Sequence, residues 1–184
     1  MRKRTLWITQ TAAMLALLIA LQWATSYIPK PAQQYVTGSC VNAVLAVTVL
    51  MAGLSSGLTV ALLSPVFAYL FGIAPNLVTV PAIMVGNAAF VAVLYLVGGG
   101  KSLLRSVTAW LGASLIKFAL LYVLVTYLIC GLLADALLER GLLKTPMLTA
   151  LPATFAAPQL VTALFGGGVA LLIVPVLKKA LHRQ

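Results

Sequence analysis

The chain has 184 residues, of which 62% are apolar and 8% charged, and its mean hydropathy is +1.11. A soluble domain usually has about 25% charged residues and fewer than 50% apolar ones, so this chain lacks the polar side chains that a water-facing surface requires. The composition therefore excludes a soluble globular enzyme. A membrane-spanning helix needs about 20 apolar residues. We expect an all-α polytopic membrane protein, with residues 1–184 forming one compact bundle of six transmembrane helices.

The net charge of +10 comes from 12 Lys and Arg residues against 2 Asp and Glu residues. These cations do not gather on one basic face, as a nucleic-acid-binding surface requires. They lie at the ends of the apolar runs, where lipid headgroups are found. We therefore expect the lipid bilayer as a partner, and no nucleic acid.

The first apolar run covers residues 6–28 and follows a basic N-terminus. A signal peptide begins in the same way, but its apolar core is only about 7–15 residues long and ends at a small-residue cleavage site. The residues Tyr27-Ile28-Pro29 make a poor cleavage site. The sequence therefore predicts an uncleaved first span.

The segment Pro29–Gly38 is predicted to be a loop because its prolines disfavour helix. The apolar stretch that follows, up to Leu70, is too long for one comfortable span and short for two. The run Gly53–Gly57 interrupts it and favours a tight turn. We therefore predict a second span over 38–52 and a third over 54–71.

Three further spans are predicted at 80–97, 103–130 and 149–177. Gly98-Gly99-Gly100 breaks the chain between the fourth and the fifth. The segment 131–148 holds both acidic residues, Asp135 and Glu139, and is expected to lie outside the hydrocarbon.

The distribution of cations favours six spans over five. With six spans and a cytoplasmic N-terminus, eight cations lie inside and three outside, and the twelfth, Lys117, lies within a span. If residues 39–70 formed a single span, the count would become five inside and six outside. Because cytoplasmic loops are enriched in Lys and Arg, we expect six spans with both termini in the cytoplasm.

Several kinds of chemistry have no residues to support them. No Asp or Glu lies in a predicted span, so a carboxylate proton relay is not expected. The only histidine, His182, lies three residues from the end, which argues against a Ser–His dyad or a haem or metal site. The run Gly98–Ser102 imitates part of a phosphate-binding loop, but it follows a helix instead of a strand. We expect no catalytic residue, metal, cofactor or ATPase activity in this chain.

Lys117 lies near the middle of the fifth predicted span. An ammonium group there costs about 2.5–3.5 kcal/mol on insertion scales, so it should face the bundle interior or a watery cavity. It could serve as the counter-charge for an anionic substrate. Alternatively, it snorkels or pairs with helix carbonyls for packing alone.

Other polar and aromatic residues are expected at a similar depth, in the outer half of the membrane. Pro158 removes a backbone hydrogen bond in the sixth span and is expected to expose a carbonyl near Thr154. Convergent polar groups and aromatics are typical of a small-molecule pocket, although isolated interhelical hydrogen bonds would use the same residues. The candidate substrate-binding residues are Gln22, Trp23, Tyr35, Asn42, Asn87, Lys117 and Gln159.

Small residues recur every four positions on two predicted spans. Ala12, Ala16 and Ala20 do so on the first, and Gly53 and Gly57, followed by Ala61, on the third. Such stripes allow another helix to approach closely. They are therefore candidates for docking a partner, with packing inside the bundle as the alternative.

These features resemble the substrate-binding S subunits of energy-coupling factor (ECF) transporters. The similarity rests on six short spans in fewer than 200 residues, a basic N-terminus, the Ala12-x-x-x-Ala16 stripe and a loop over the outer face between the first two helices. It covers essentially the whole chain.

The resemblance implies a multi-pass protein of the bacterial cell (plasma) membrane that binds a vitamin or other micronutrient in its outer half. It further implies docking, through Ala12 and Ala16, onto a transmembrane coupling subunit associated with two ATPase subunits. Lys117 favours an anionic organic substrate. Two alternatives remain: a stand-alone channel or facilitator for a small solute, and a lipid-modifying membrane enzyme, which would have only Asp135 and Glu139 to work with.

Overall fold

A computed structural model describes residues 2–30, 32–98 and 102–181 of the chain. These residues form helices and connecting turns, and no strand occurs among them. A short 3₁₀ turn at Leu77–Thr79 precedes the fourth helix, and a π-helix at Val123–Leu132 continues the fifth. The α-helices are α1 (Arg2–Thr25), α2 (Ala32–Ala52), α3 (Leu54–Leu70), α4 (Val80–Gly98), α5 (Leu103–Tyr122), α6 (Ala134–Glu139), α7 (Met147–Phe155) and α8 (Ala157–Leu181).

The expected all-α membrane bundle is confirmed. Among the described residues, five helical segments are long and apolar enough to cross a membrane: Arg4–Thr25, Ala32–Ala52, Leu77–Gly98, Leu103–Leu132 and Met147–Ala180. The remaining long helix, α3, is apolar as well but has only 17 residues. Large apolar side chains cover the outside of the bundle, where lipid is their natural solvent; Leu96, Leu103 and Leu172 are among the most exposed.

The predicted loop between the first two spans was too long. α1 ends at Thr25 and α2 already begins at Ala32, six residues before the predicted start at residue 38. The prediction of a longer loop rests on the prolines at 29 and 31, but both precede the first residue of α2 in the sequence and therefore do not interrupt it. Gln33, Gln34 and Tyr35 therefore lie on α2.

The tight turn predicted after the second span is a single residue. Gly53 alone separates α2 from α3, and its φ of +87° lies in the left-handed region that favours glycine. The break predicted at Gly98–Gly100 lies largely outside the described residues, as do Lys101, His182 and Arg183.

The predicted sixth span is divided into two helices. α7 ends at Phe155, and Ala156 adopts a non-helical backbone with ψ of −125° before α8 begins. Pro158 explains the break, because its nitrogen has no hydrogen to donate to the carbonyl of Thr154. The helix is therefore interrupted at Ala156, just before the proline.

The long helices alternate in direction along the chain. α1 runs beside α3 in the same sense, since Thr11 hydrogen-bonds to Ser56 and Gln22 to Ser64. The connecting segments 26–30, 71–76 and 133–146 consequently lie together at one end of the bundle, which we call the cavity end. The opposite end, called the basic end, includes Gly53, the first turns of α1 and α5, and the last turn of α8 with Lys178 and Lys179.

The half of the bundle towards the basic end is filled mainly by apolar side chains. Leu18, Leu45, Phe90, Val91 and Ala170 are fully buried there, in a cluster to which α1, α2, α4 and α8 all contribute. A smaller cluster at the cavity end packs α7 against the π-helix. Between these two clusters lies the polar region described below.

The closest helix contact joins α2 and α8. A Cβ atom placed on Gly166 would overlap the carbonyl oxygen of Ser39 and would lie 2.7 Å from the Cβ of Asn42. One turn away, a Cβ on Gly38 would lie 2.8 Å from Thr162 Cγ2. Glycine at these positions lets the two helices meet nearly backbone to backbone.

We expect Gly166→Ala to lower the free energy of unfolding by about 1–3 kcal/mol, because the added methyl group meets rigid backbone atoms. Thermal unfolding of the detergent-purified protein would measure this effect. Gly112→Ala on α5 is the matched control, since its new Cβ meets nothing closer than Val93 Cγ1 at 3.9 Å. Equal stability of the two variants would contradict the close α2–α8 contact.

Candidate functional site

A single lysine lies at the centre of the polar region. Lys117 on α5 is only 3% exposed, and its Nζ donates hydrogen bonds to Asn42 Oδ1 at 2.5 Å and to Asn87 Oδ1 at 2.7 Å. Nζ also lies 5.6 Å from the centre of the Phe90 ring, within range of a cation–π contact. The ammonium group thus exchanges water for two amide oxygens and an aromatic face.

Backbone carbonyls, one on α2 itself and one on α3, fix the orientation of the two asparagines. Asn42 Nδ2 donates to the carbonyl of Gly38 at 2.9 Å, and Asn87 Nδ2 lies 3.5 Å from the carbonyl oxygen of Ala61. With each amide nitrogen directed at a carbonyl, each amide oxygen faces the lysine. The two acceptors are therefore held in place before any ligand binds.

This cluster belongs to a polar network that joins all the long helices. Asn87 also approaches Ser64 Oγ on α3, and Asn42 approaches Thr162 Oγ1 on α8, each at 3.5 Å. Gln22 on α1 donates to the carbonyl of Ser64 at 3.2 Å. The network therefore runs from α1 through α3, α4, α5 and α2 to α8.

Gln22 has one unused hydrogen-bonding atom. Its side chain is 2% exposed, and its Oε1 has no hydrogen-bond partner among the described residues. Leaving a buried acceptor unpaired typically costs about 1–3 kcal/mol. Such an atom next to a cavity is a natural contact for a bound molecule.

The network forms the floor of a cavity with a volume of about 330 Å³. This value is near the lower limit for small-molecule sites, which typically enclose about 300–1,000 Å³. Residues of the loops at the cavity end contribute to the lining, including Lys30 and Pro75. None of the described lining residues is acidic, and the polar ones are Gln22, Lys30, Gln33, Gln34, Thr37, Asn42, Ser64, Asn87, Lys117, Thr154 and Gln159.

Two glutamines at the start of α2 border the mouth of the cavity. Gln34 Nε2 donates to the carbonyl of Thr154 at 2.7 Å, and Gln33 Nε2 donates to the carbonyl of Ser26 at 3.0 Å. The carbonyl that Pro158 leaves free is thus bound by Gln34 within the protein. Sequence reasoning missed both glutamines because they had been assigned to a loop.

The structure brings five of the seven predicted site residues to the cavity: Gln22, Asn42, Asn87, Lys117 and Gln159. Trp23 and Tyr35 do not line it. Trp23 is 55% exposed and makes an edge contact with Tyr27, and Tyr35 borders an apolar groove between α2 and α8.

The two small-residue stripes lie in different environments. Ala12, Ala16 and Ala20 are exposed along the outside of α1. Gly57, by contrast, is buried, and a Cβ there would lie 2.8 Å from Val91 Cγ1. The stripe on α3 therefore serves packing inside the bundle, with Gly53 as its turn, and only the α1 stripe offers a free surface.

The described residues contain no group of three or more His, Cys, Asp or Glu side chains that is arranged to hold a metal ion. Comparisons of the chain with protein-family models, with curated proteins and with solved structures find no match. The function must therefore be argued from the cavity itself.

A double-mutant cycle tests the Lys117 cluster. We expect Asn87→Leu to destabilise the protein by about 1.5–3 kcal/mol, because it removes a hydrogen bond to a charged group. In the presence of Lys117→Met the same change should cost much less, giving a coupling energy of about 0.5–3 kcal/mol in thermal or chemical unfolding.

The control for this cycle is Thr48→Val, combined with Lys117→Met. Thr48 is buried on α2 and donates only to Val44 of its own helix. Its effect should add to that of Lys117→Met within about 0.5 kcal/mol. Additivity in both cycles would contradict the contact between Lys117 and Asn87.

Proposed function

We propose that this protein is the substrate-capture subunit of an ECF-type importer that takes up a small anionic vitamin or other micronutrient. It binds the solute from the cavity end, while a transmembrane coupling subunit and two ATPases supply the energy for its release inward. The main observation that supports this proposal is the Lys117–Asn42–Asn87 cluster on the floor of a cavity of about 330 Å³.

The charge of the cavity supports an anionic ligand. Lys117 and Lys30 both line it, and no acidic residue does so among the described lining residues. The partners of Lys117 are neutral amides, so its positive charge is solvated without being neutralised. An incoming carboxylate or similar group supplies the missing counter-charge in a site of low dielectric, where the attraction is strong.

The apolar core favours a protein that binds its solute over a channel through which the solute would diffuse across the membrane. Phe90, fully buried, lies beneath Lys117, and Leu45 and Val91 fill the same region towards the basic end. A channel or facilitator needs a polar path from one side of the membrane to the other. Among the described residues, the polar lining belongs to the half that opens at the cavity end.

The surface of α1 supports a partner within the membrane. α1 is the most peripheral of the long helices, because only 17% of the residues in its most apolar stretch are buried inside the bundle. Its exposed Ala12, Ala16 and Ala20 offer a shallow face on which a helix of another protein can lie close. This face is the docking site that the ECF resemblance implies.

We further propose six spans with both termini in the cytoplasm of a bacterial cell. α3 counts as a span because it pairs along its length with α1 and α4, although its 17 residues reach only about 26 Å. The cation count predicted from the sequence, eight inside against three outside, then orients the cavity outward.

Single cysteines added at the two tails should both react with a membrane-impermeant maleimide only after the cells are opened. The existing Cys40 and Cys130 are replaced by Ala first, so that the label reports the tails. A cysteine replacing Thr145, which is exposed in the loop 133–146, is the outward control and should react in intact cells. Tails that react on opposite sides would contradict the six-span arrangement.

Purifying the tagged protein from its native membranes in a mild detergent should recover an ATPase and a second membrane protein. We expect Ala16→Trp to reduce this recovery at least tenfold, because the bulky side chain separates the two helices. Ala119→Trp is the matched control, an exposed alanine on α5 away from the docking face. Absence of both partners from the unmodified protein would overturn the proposed assembly.

A further inference from the structure

We infer, on the basis of the proposed function, that the ligand is a small organic anion that also carries a neutral N–H or O–H group. Its anionic group binds Lys117 Nζ, and its neutral donor binds Gln22 Oε1. The inference rests on two buried groups of the cavity, Lys117 Nζ and Gln22 Oε1, each of which retains hydrogen-bonding capacity after the contacts within the protein are counted.

The orientation of the Gln22 amide is determined by its surroundings. Its nitrogen donates to the backbone carbonyl of Ser64 at 3.2 Å. Exchanging nitrogen and oxygen would place two oxygens against each other, because a carbonyl accepts and never donates. Oε1 is therefore the acceptor atom of a side chain that lines the cavity, and it has no partner among the described residues. Only a donor on the ligand, or the water that it displaces, pairs with it.

Lys117 offers the complementary group, an N–H donor that no atom of the described residues uses. An ammonium group has three N–H donors, and two of them are used by Asn42 Oδ1 and Asn87 Oδ1. One donor remains for an atom in the cavity that Lys117 lines. Because the charge is not neutralised by the amides, this donor selects an anionic acceptor over a neutral one.

The donor that Gln22 receives belongs to a neutral group. A ligand with an ammonium group would bring a further positive charge into a cavity already lined by Lys117 and Lys30, and none of the described lining residues is acidic. Burying an unpaired cation there is unfavourable. An amide, lactam, ring N–H or hydroxyl group supplies the hydrogen without that charge.

The remaining lining groups place fewer restrictions on the chemistry of the ligand. Gln33, Gln34 and Thr37 each donate to a neighbour inside the protein. Gln159 presents an amide that both donates and accepts, so it fits either kind of partner. The volume of about 330 Å³ restricts the ligand to a small molecule. The selective contacts are therefore Lys117 and Gln22.

The test identifies the small molecule that the purified full-length protein retains. The protein is isolated from its native membranes, incubated with a small-molecule extract of the same cells, washed and analysed by mass spectrometry. We expect one retained anion with an exchangeable N–H or O–H. Equilibrium dialysis of that compound should show a loss of affinity of about threefold to tenfold for Gln22→Met, and of about tenfold or more for Lys117→Met.

Thr126→Val is the matched control for Gln22→Met. Thr126 Oγ1 is likewise a buried polar atom without a partner among the described residues, but Thr126 belongs to the π-helix and does not line the cavity. Its substitution should leave the affinity unchanged. Unfolding midpoints of all variants, measured without ligand, separate loss of binding from loss of fold.

Three results overturn the inference and are distinguishable from failure of the proposed function. A retained anion without a donor, or one whose affinity Gln22→Met leaves unchanged, removes the role of Gln22 but keeps solute capture. A retained cation or uncharged compound overturns the anionic class, in this inference and in the proposed function alike, but keeps solute capture. A folded protein that retains no compound from the extract overturns both.

Discussion

Burial of one ammonium group in a bundle whose long helices contain no acidic residue is the constraint on which this structure depends. Lys117 is held by the amide oxygens of Asn42 and Asn87, each fixed by a backbone carbonyl of its own or a neighbouring helix. A carboxylate in place of either amide would neutralise the lysine and leave little attraction for a ligand. Amide oxygens solvate the charge without cancelling it. The same contacts that make the buried lysine tolerable thus keep its positive charge available to an anion.

The network also determines how the helices are arranged around the cavity. α2 contributes Asn42 to the lysine and, at the same level, packs closely against Gly166 of α8. This close approach brings Thr162 to Asn42, so that the polar network extends to α8. Towards the basic end, the side chains around Phe90 pack closely, and the buried hydrogen bond between Thr11 and Ser56 lies nearer that end. The cavity and its polar network thus occupy one half of the bundle, and mainly apolar packing fills the other.

The sequence predicted the class of fold and the floor of the site, but not its mouth. Depth along an apolar run can be counted from residue numbers, and this count placed Asn42, Asn87 and Lys117 at one level, where the structure brings them into contact. The face of the helix on which a side chain lies cannot be predicted from the sequence in the same way, because these helices are apolar on nearly every side. Trp23 and Tyr35 have a suitable depth yet lie outside the cavity. The glutamines at the mouth were missed because the start of α2 depends on whether proline ends one helix or begins the next.

The unequal lengths of the helices affect how the bundle sits in its bilayer. α3 exposes Leu62, Leu63 and Leu70 to lipid over a helix of only 17 residues, whereas α5 and its π-helical extension are apolar over 30 residues, Leu103–Leu132. A hydrocarbon layer of uniform thickness cannot match both sides. With α3 as the proposed sixth span, lipid next to it must be compressed or its neighbours must lean, and the long segment relieves its own mismatch by tilting. The six-span arrangement therefore implies a preferred inclination of the bundle and a bilayer of uneven thickness around it.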